Sequence, residues 1–238
     1  MAQRFDLAEL QVDVAFKDIK NVHLSVYPPN GRVHISAPSR MNLDTIRVYA
    51  ISKLDWIRRQ QRKVRAQARE TPREYLDRES HFVWGKRYLL QLIDVDGAAS
   101  VELNHSQILL SVRPGAGVDR CEEVLGAWYR EQIRNAARPL IAKWEQRLEV
   151  SVGHLFVQRM RTRWGSCNPK RGSIRLKTEL AKKPPECLEY VVVHEMAHLL
   201  VPNHGDRFMA VLDRSLPGWR QVRQTLNSAP LAHEDWTL

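Results

Sequence analysis

The sequence predicts an α+β protein, in which a mixed strand/helix N-terminal region precedes a region built around one buried helix. Three observations predict it. Apolar residues alternate with polar ones over residues 10–37 and 81–113, the period of half-buried strands. Apolar residues recur every three or four positions over 42–68 and 121–148, the period of amphipathic helices. Residues 188–200 are apolar around nearly the whole helical circumference, and a helix of that kind is buried.

Val12, Val14 and Phe16, then Val22, Leu24 and Val26, then Val33 and Ile35 read as strands, with a hairpin turn at Pro29-Asn30-Gly31. Leu43, Ile46, Ala50, Leu54 and Ile57 predict a single helix from Asn42 to about Ala68, capped by Asn42 or Asp44 and closed by Thr71-Pro72. Further strands are expected at Phe82–Trp84, Tyr88–Ile93, Val101–Leu103 and Ile108–Val112, with turns at Gly85 and at Asp96-Gly97. A long helix from Cys121 to Leu148 follows, and Pro139 is expected to kink or split it. Short strands are expected within Val150–Val157 and Ser173–Leu176. Pro184-Pro185 opens the last predicted helix, with Glu186 and Glu189 suited to its N-terminal dipole, and Pro202 ends it near Val201. The sequence carries no evident internal repeat. It divides into 1–78, 79–149 and 150–238, which read equally as one continuous domain.

The chain has 238 residues, 43% hydrophobic and 27% charged, which excludes a disordered class. No secretory signal is expected, because the first residues lack a basic segment followed by an apolar run. No stretch is long and apolar enough for a membrane span, so no membrane partner is expected. Cys121, Cys167 and Cys187 are too few and too scattered for a disulfide framework, which points to a reducing, cytoplasmic setting. The net charge of +10 is local: residues 58–73 hold seven basic side chains against one acid, and residues 158–183 hold nine against one. The first stretch, Arg58 to Arg73, is a candidate for gripping nucleic acid, and the second for holding an anionic substrate.

The chemistry concentrates in His194-Glu195-Met196-Ala197-His198. Positions four apart on a helix lie about 40° apart around the axis, so His194 and His198 point the same way and can share one zinc ion (Zn2+). Glu195 is offset by about 100°, close enough to take a proton from a water on that ion without binding the ion itself. After the break at Pro202 the chain can turn back and present His204 as third ligand, with Asp206 and His233 as rivals. Three protein ligands are the catalytic pattern, against four for a structural site.

The block Arg161, Thr162, Arg163, Trp164, Gly165, Ser166, Cys167 is less transparent. Gly165 reads as a turn after a strand, on which Arg159, Arg161 and Arg163 would share one face. Trp164 reads as a core plug and Cys167 as a small buried residue or an extra zinc ligand.

Taken in order, Arg159–Leu176, Leu188–Phe208 and Leu216-Pro217-Gly218-Trp219 resemble the YgjP-like branch of the SprT-like zinc metallopeptidases, most clearly over residues 150–225. The resemblance implies a zincin-like catalytic domain, with His194, His198 and His204 on zinc and Glu195 as general base. It also implies two substrate classes, a peptide or protein and a nucleotide such as UTP. Two positions depart from the family pattern: Lys177 stands where an asparagine is usual, and Met209 where an aromatic is common.

The expected function is therefore a metal-dependent hydrolase, in first place a metallopeptidase. A peptide could add to the strand Ser173–Lys177, with Arg161, Arg163, Arg175 or Tyr190 steadying the oxyanion. A nucleotide (UTP) pyrophosphatase and a non-enzymatic zinc-binding scaffold are the alternatives. There is no phosphate-cradling glycine loop of the usual NTPase kind.

Overall fold

The computed structural model describes residues 2–7, 9–27, 30–66, 73–160 and 163–228. The described residues fall into two compact units, one within Met1–Pro72 and one within Arg73–Ala229.

In the first unit, four strands, β1 (Ala2–Leu7), β2 (Leu10–Lys17), β3 (His23–Tyr27) and β4 (Arg32–Pro38), pair in the order β1-β2-β4-β3. The central pair β2–β4 is parallel and both outer pairs are antiparallel. Val12, Val14, Val33 and Ile35 point inward from the central strands and are fully buried with Ile46, Ala50 and Ile57 of the helices. Strand β1 was not expected from its polar sequence. It is held by cross-strand chemistry: Arg4 faces Asp13, and both Arg4 and Arg32 donate to the Asp13 carboxylate at 2.7 and 2.5 Å.

The single helix expected from Asn42 to Ala68 is two, α1 (Leu43–Ser52) and α2 (Leu54–Ala66). Asn42 caps α1 by accepting from the Thr45 amide at 2.8 Å. At Lys53 the backbone leaves helical geometry and its N–H bonds back to Ala50 and Ile51, so the axis restarts. Arg58, Arg59 and Arg62 lie on the exposed face of α2. Lys63 and Arg65 have no described side chains, and Arg69 lies outside the described residues.

In the second unit, β5 (Ser80–Val83), β6 (Lys86–Asp94), β7 (Ser100–Leu103) and β8 (Gln107–Val112) pair as β5-β6-β8-β7, again with a parallel central pair and antiparallel outer pairs. Strand order and directions thus repeat those of the first sheet, although no repeat is visible in the sequence. Trp84 and Gly85 make the two-residue β5–β6 turn, both at positive φ (50° and 78°), as the twist of a tight hairpin requires. A Cβ at Gly85 would stand 2.9 Å from Pro184, so this turn packs against the entry to the helix of interest.

Helix α3 (Val118–Leu148) runs 31 residues without interruption. Pro139 does not split it, because it sits on the exposed face, where the carbonyl it leaves unpaired can be hydrated. The other face buries Leu125, Ile133, Ala137 and Trp144. A three-stranded sheet follows, of β9 (His154–Gln158), β10 (Gly165–Asn168) and β11 (Ser173–Lys177), in the order β10-β11-β9. Gly165 therefore opens a strand rather than a turn. Strand β9 ends at Gln158, so Arg159 and Arg163 do not share a strand face.

Helix α4 (Pro185–Leu200) begins and ends where the prolines predicted. It is buried on all sides, between α3, β10 and two short helices that were not expected, α5 (Asp206–Ser215) and α6 (Trp219–Ser228). Phe208 and Leu212 of α5 and Trp219 and Leu226 of α6 are the buried stripes that hold these helices down. Among the described residues, no helix is long and apolar enough to cross a membrane.

Glu189 locks α4 to α3. Its Oε1 accepts from Lys143 Nζ at 2.7 Å and from the indole N–H of buried Trp144 at 2.9 Å. Burial alone would raise the Glu189 carboxyl, but these two donors hold it below its usual 4.5. A carboxylate depressed in the folded state stabilises above its unfolded pKa, and that contribution is lost as pH falls through the folded one. Glu189→Ala is therefore expected to cost about 1–3 kcal/mol at neutral pH, since it strands the Trp144 donor. Denaturant unfolding of wild type and variant should converge as pH falls below about 4.5. A gap that persists at acid pH would mean the loss is packing alone.

Candidate metal centre

His194 and His198 stand one turn apart on α4, and the chain after Pro202 returns His204 to them. One ligand nitrogen from each of the three lies within 4.8 Å of the others. The Nε2 atoms of His194 and His204 are 3.1 Å apart. Nitrogens bound at ~2.0–2.1 Å to one ion stand roughly 3 Å apart, so the spacing suits shared coordination. His198 makes a 3.2 Å hydrogen bond from Nδ1 to the carbonyl of Val201. That carbonyl belongs to the residue that caps the helix, just before Pro202. Donating Nδ1–H there places the lone pair of His198 on Nε2, as metal-binding histidines require. The buried Nδ1 of His194 has no hydrogen-bond partner among the described residues. A three-imidazole set of this kind fits a divalent metal of the zinc type.

Burial pushes His194 down to about 3, helped by the neighbouring His198 and His204 and by Arg223, and burial also lowers His198. Both are therefore neutral, the state in which imidazole binds a metal. Phe208 closes one side of the cluster, with its ring centroid 5.0, 4.6 and 4.7 Å from those of His194, His198 and His204. Tyr190 packs edge-on to His194 and stacks on Trp219 at 6.1 Å. Trp219 is itself tied to Asp213 by its indole N–H at 2.8 Å. Asp206, one rival for the third position, lies outside the cluster, and His233, the other, lies outside the described residues.

Glu195 is 6% exposed, and burial raises its carboxyl to about 7 against the opposing pull of Arg163. Cys167 faces the same region. Burial, then the charge of Glu195, lift its thiol to about 11, so it is a protonated lining residue. The three histidines and Glu195 open onto a cavity of about 760 Å³ walled also by β10, α5 and α6.

The other expected site residues divide. Arg163 and Tyr190 line the cavity. Arg175 does not: it sits over the Phe156 ring at 5.4 Å, away from the lining. Arg161 lies outside the described residues. Arg159 pairs with Glu122 of α3. Trp164 packs partly against the core and also lines the cavity, with Lys177 and Lys183 over its ring at 5.6 and 5.8 Å. The unusual Lys177 is thus a support beneath a cavity wall.

Phe208, Trp219 and Arg223 were not read from the sequence as site residues, nor was the role of Gly165. A Cβ at Gly165 would lie 2.7 Å from Glu195 Oε1 and 2.9 Å from Val191 Cγ1. The missing side chain is what allows β10 to cross directly over the carboxylate. Gly165→Ala is expected to displace Glu195, cutting hydrolysis about 100-fold and stability by about 1–3 kcal/mol. Metal content should be unchanged. Full activity in Gly165→Ala would show that the Glu195 position is not critical.

The YgjP-like family, described as a metallopeptidase domain, matches residues 20–229. No curated protein matches the chain. Among solved structures, the metallopeptidase zymogen of Pyrococcus abyssi abylysin is 18% identical, with 40% of this chain and 97% of that one covered and a TM-score of 0.35. The zymogen of Methanocaldococcus jannaschii jannalysin is also 18% identical, with coverages of 40% and 92% and a TM-score of 0.33. The family match spans most of the chain, including every residue of the histidine cluster and Glu195, and the protein accordingly belongs to the YgjP-like metallopeptidase-domain family and is a metal-dependent hydrolase.

Proposed function

We propose that the protein is a zinc-dependent peptidase with a zincin-like centre, in which His194, His198 and His204 hold the ion and Glu195 is the general base. The observation that carries this is the convergence of three imidazoles beside a buried carboxylate at the floor of an open cavity. A zinc ion there supplies Lewis acidity, polarising the scissile carbonyl and acidifying water. Glu195 takes the water proton at its carboxylate and returns it to the leaving amine. Phe208 covers one side of the histidine cluster with an apolar ring. Tyr190, held between Trp219 and His194, is the donor best placed to steady the developing oxyanion.

The peptide-pairing strand is revised. Strand β11 has neighbours on both sides, β10 and β9, and has no edge to offer. Strand β10 is an edge strand whose residues line the cavity, so Gly165–Asn168 is the segment along which an extended peptide adds.

Phosphoanhydride hydrolysis, with UTP as the substrate tested, is the second reading. It is favoured by Arg163 and Arg223, two cations on the same cavity. Zinc-loaded protein assayed on denatured casein and on UTP, against Glu195→Gln, separates the two. Casein cleavage that depends on Glu195 supports the first reading, and pyrophosphate release that depends on Glu195 supports the second. A cytoplasmic location is part of the proposal, supported by the three unpaired cysteines.

A further inference from the structure

Two arginines from different elements line the cavity: Arg163, on the loop entering β10, and Arg223, on α6. Both are exposed, and neither has an ion-pair partner among the described residues. Five other arginines of the same unit are held by carboxylates. Arg73 bonds Glu79, Arg120 bonds Glu123, Arg134 bonds Glu131, Arg159 bonds Glu122 and Arg220 bonds Asp213. On the cavity wall the only carboxylate among the described residues is Glu195, which is buried at the floor. Arg163 acts electrostatically on Glu195, and Arg223 on both Tyr190 and His194. The two guanidinium groups therefore share one cavity with Glu195 and Tyr190.

Around them the wall is apolar and aromatic, with Trp164, Met209, Leu212 and Trp219. A substrate that carried a cation here would meet two like charges over a partly desolvated wall. One that carried an anionic oxygen group would meet two forked donors with no competing acid.

We infer that Arg163 and Arg223 form an anion-selecting pair, which makes the cleft specific for substrates bearing a carboxylate or phosphate next to the bond cleaved. This rests on the hydrolase reading of the same cavity and names the substrate class it takes. The anion comes from an acidic peptide side chain or from a phosphorylated small molecule, and the shared chemistry is the negatively charged oxygen group.

The test uses the full-length, zinc-loaded Glu195→Gln protein, so that binding is read without turnover. Labelled peptides of one sequence, differing only in a central Glu, Gln or Lys, are titrated by fluorescence anisotropy, and UTP is added as competitor. The Glu peptide should bind roughly 10- to 100-fold more tightly than the Lys peptide, the range expected for hydrogen bonds to a charged group. Adding Arg223→Glu or Arg163→Glu should erase or reverse that order. Arg87→Glu, an equal charge reversal on exposed β6, should leave it unchanged. Tight UTP binding that is lost in both arginine variants, with no discrimination among peptides, would assign the phosphate as the source. Equal affinities for the three peptides without UTP binding, or an order that survives both arginine variants, would overturn the inference. Hydrolysis that survives Glu195→Gln in the separate turnover assay would instead overturn the base assignment, and leaves the charge preference to be judged by binding alone.

Discussion

Glu195→Gln is expected to lower hydrolysis by about 10²- to 10⁴-fold, the range for removing a positioned general base. The substitution keeps shape and volume, and Glu195 is 6% exposed inside the packed helix α4. Its carboxyl is already pushed up to about 7 by burial, so the neutral amide removes a desolvation cost. Thermal stability should hold or rise, and metal content should stay at the wild-type ratio, because the histidine nitrogens are untouched. The loss should fall on turnover rather than on substrate affinity. Wild-type turnover in Glu195→Gln, measured on casein and on UTP, would remove Glu195 from the chemistry and assign any activity seen to another group or to a contaminant.

His194→Ala is expected to act one step earlier, on the metal. His194 contributes one of the three imidazoles of the cluster, with its ring 5.1 Å from that of His198 and 5.0 Å from that of His204. Loss of a supporting second-shell partner alone costs 10- to 100-fold in metal affinity. Loss of a ligand should therefore cost more than about 100-fold and abolish hydrolysis. A ligand that binds only the folded state stabilises it by about 2.7 kcal/mol at a hundred times its Kd. Zinc should therefore raise the wild-type melting temperature, and the same addition should leave His194→Ala almost unmoved. Metal analysis supplies the second readout. If His194→Ala retains one tightly bound ion per chain, the ion sits elsewhere and the cluster is a packing feature.

The two variants separate roles held by two adjacent residues of helix α4. Glu195→Gln should be a well-folded, metal-loaded, inactive protein, and His194→Ala a metal-poor one. Gly165→Ala should resemble the first in metal content but also lose stability, since its Cβ collides with both Glu195 and Val191.

Helix α4 was legible in the sequence almost to the residue. Its bounds are set by local chemistry, Pro184-Pro185 at one end and Pro202 at the other, and its burial by apolar residues on every face. The meeting of His194, His198 and His204 was equally legible, because helical periodicity aligns the first two and a proline break limits where the third can go. Less local features were not. Strand β1 depends on Phe5 reaching the core and on Arg4 finding Asp13 across the sheet, and the break at Lys53 lies inside an otherwise regular apolar pattern. The short helices α5 and α6 carry Phe208 and Trp219 to the cluster, a service invisible in their own periodicity.

The sequence by itself determined the three-histidine cluster, the glutamate beside it and the helix that holds most of them, because spacing on one helix is a matter of a 3.6-residue turn. Only the tertiary structure decided which basic residues line the cavity. Arg175 turns to Phe156 and Arg159 to Glu122, while Arg223, sixty residues after Arg163, joins it on one cavity wall. It also decided that Gly165 is a space rather than a turn, and that β10, not β11, has the free edge. These outcomes depend on strand order and on approaches between distant segments, which no local pattern of side chains encodes.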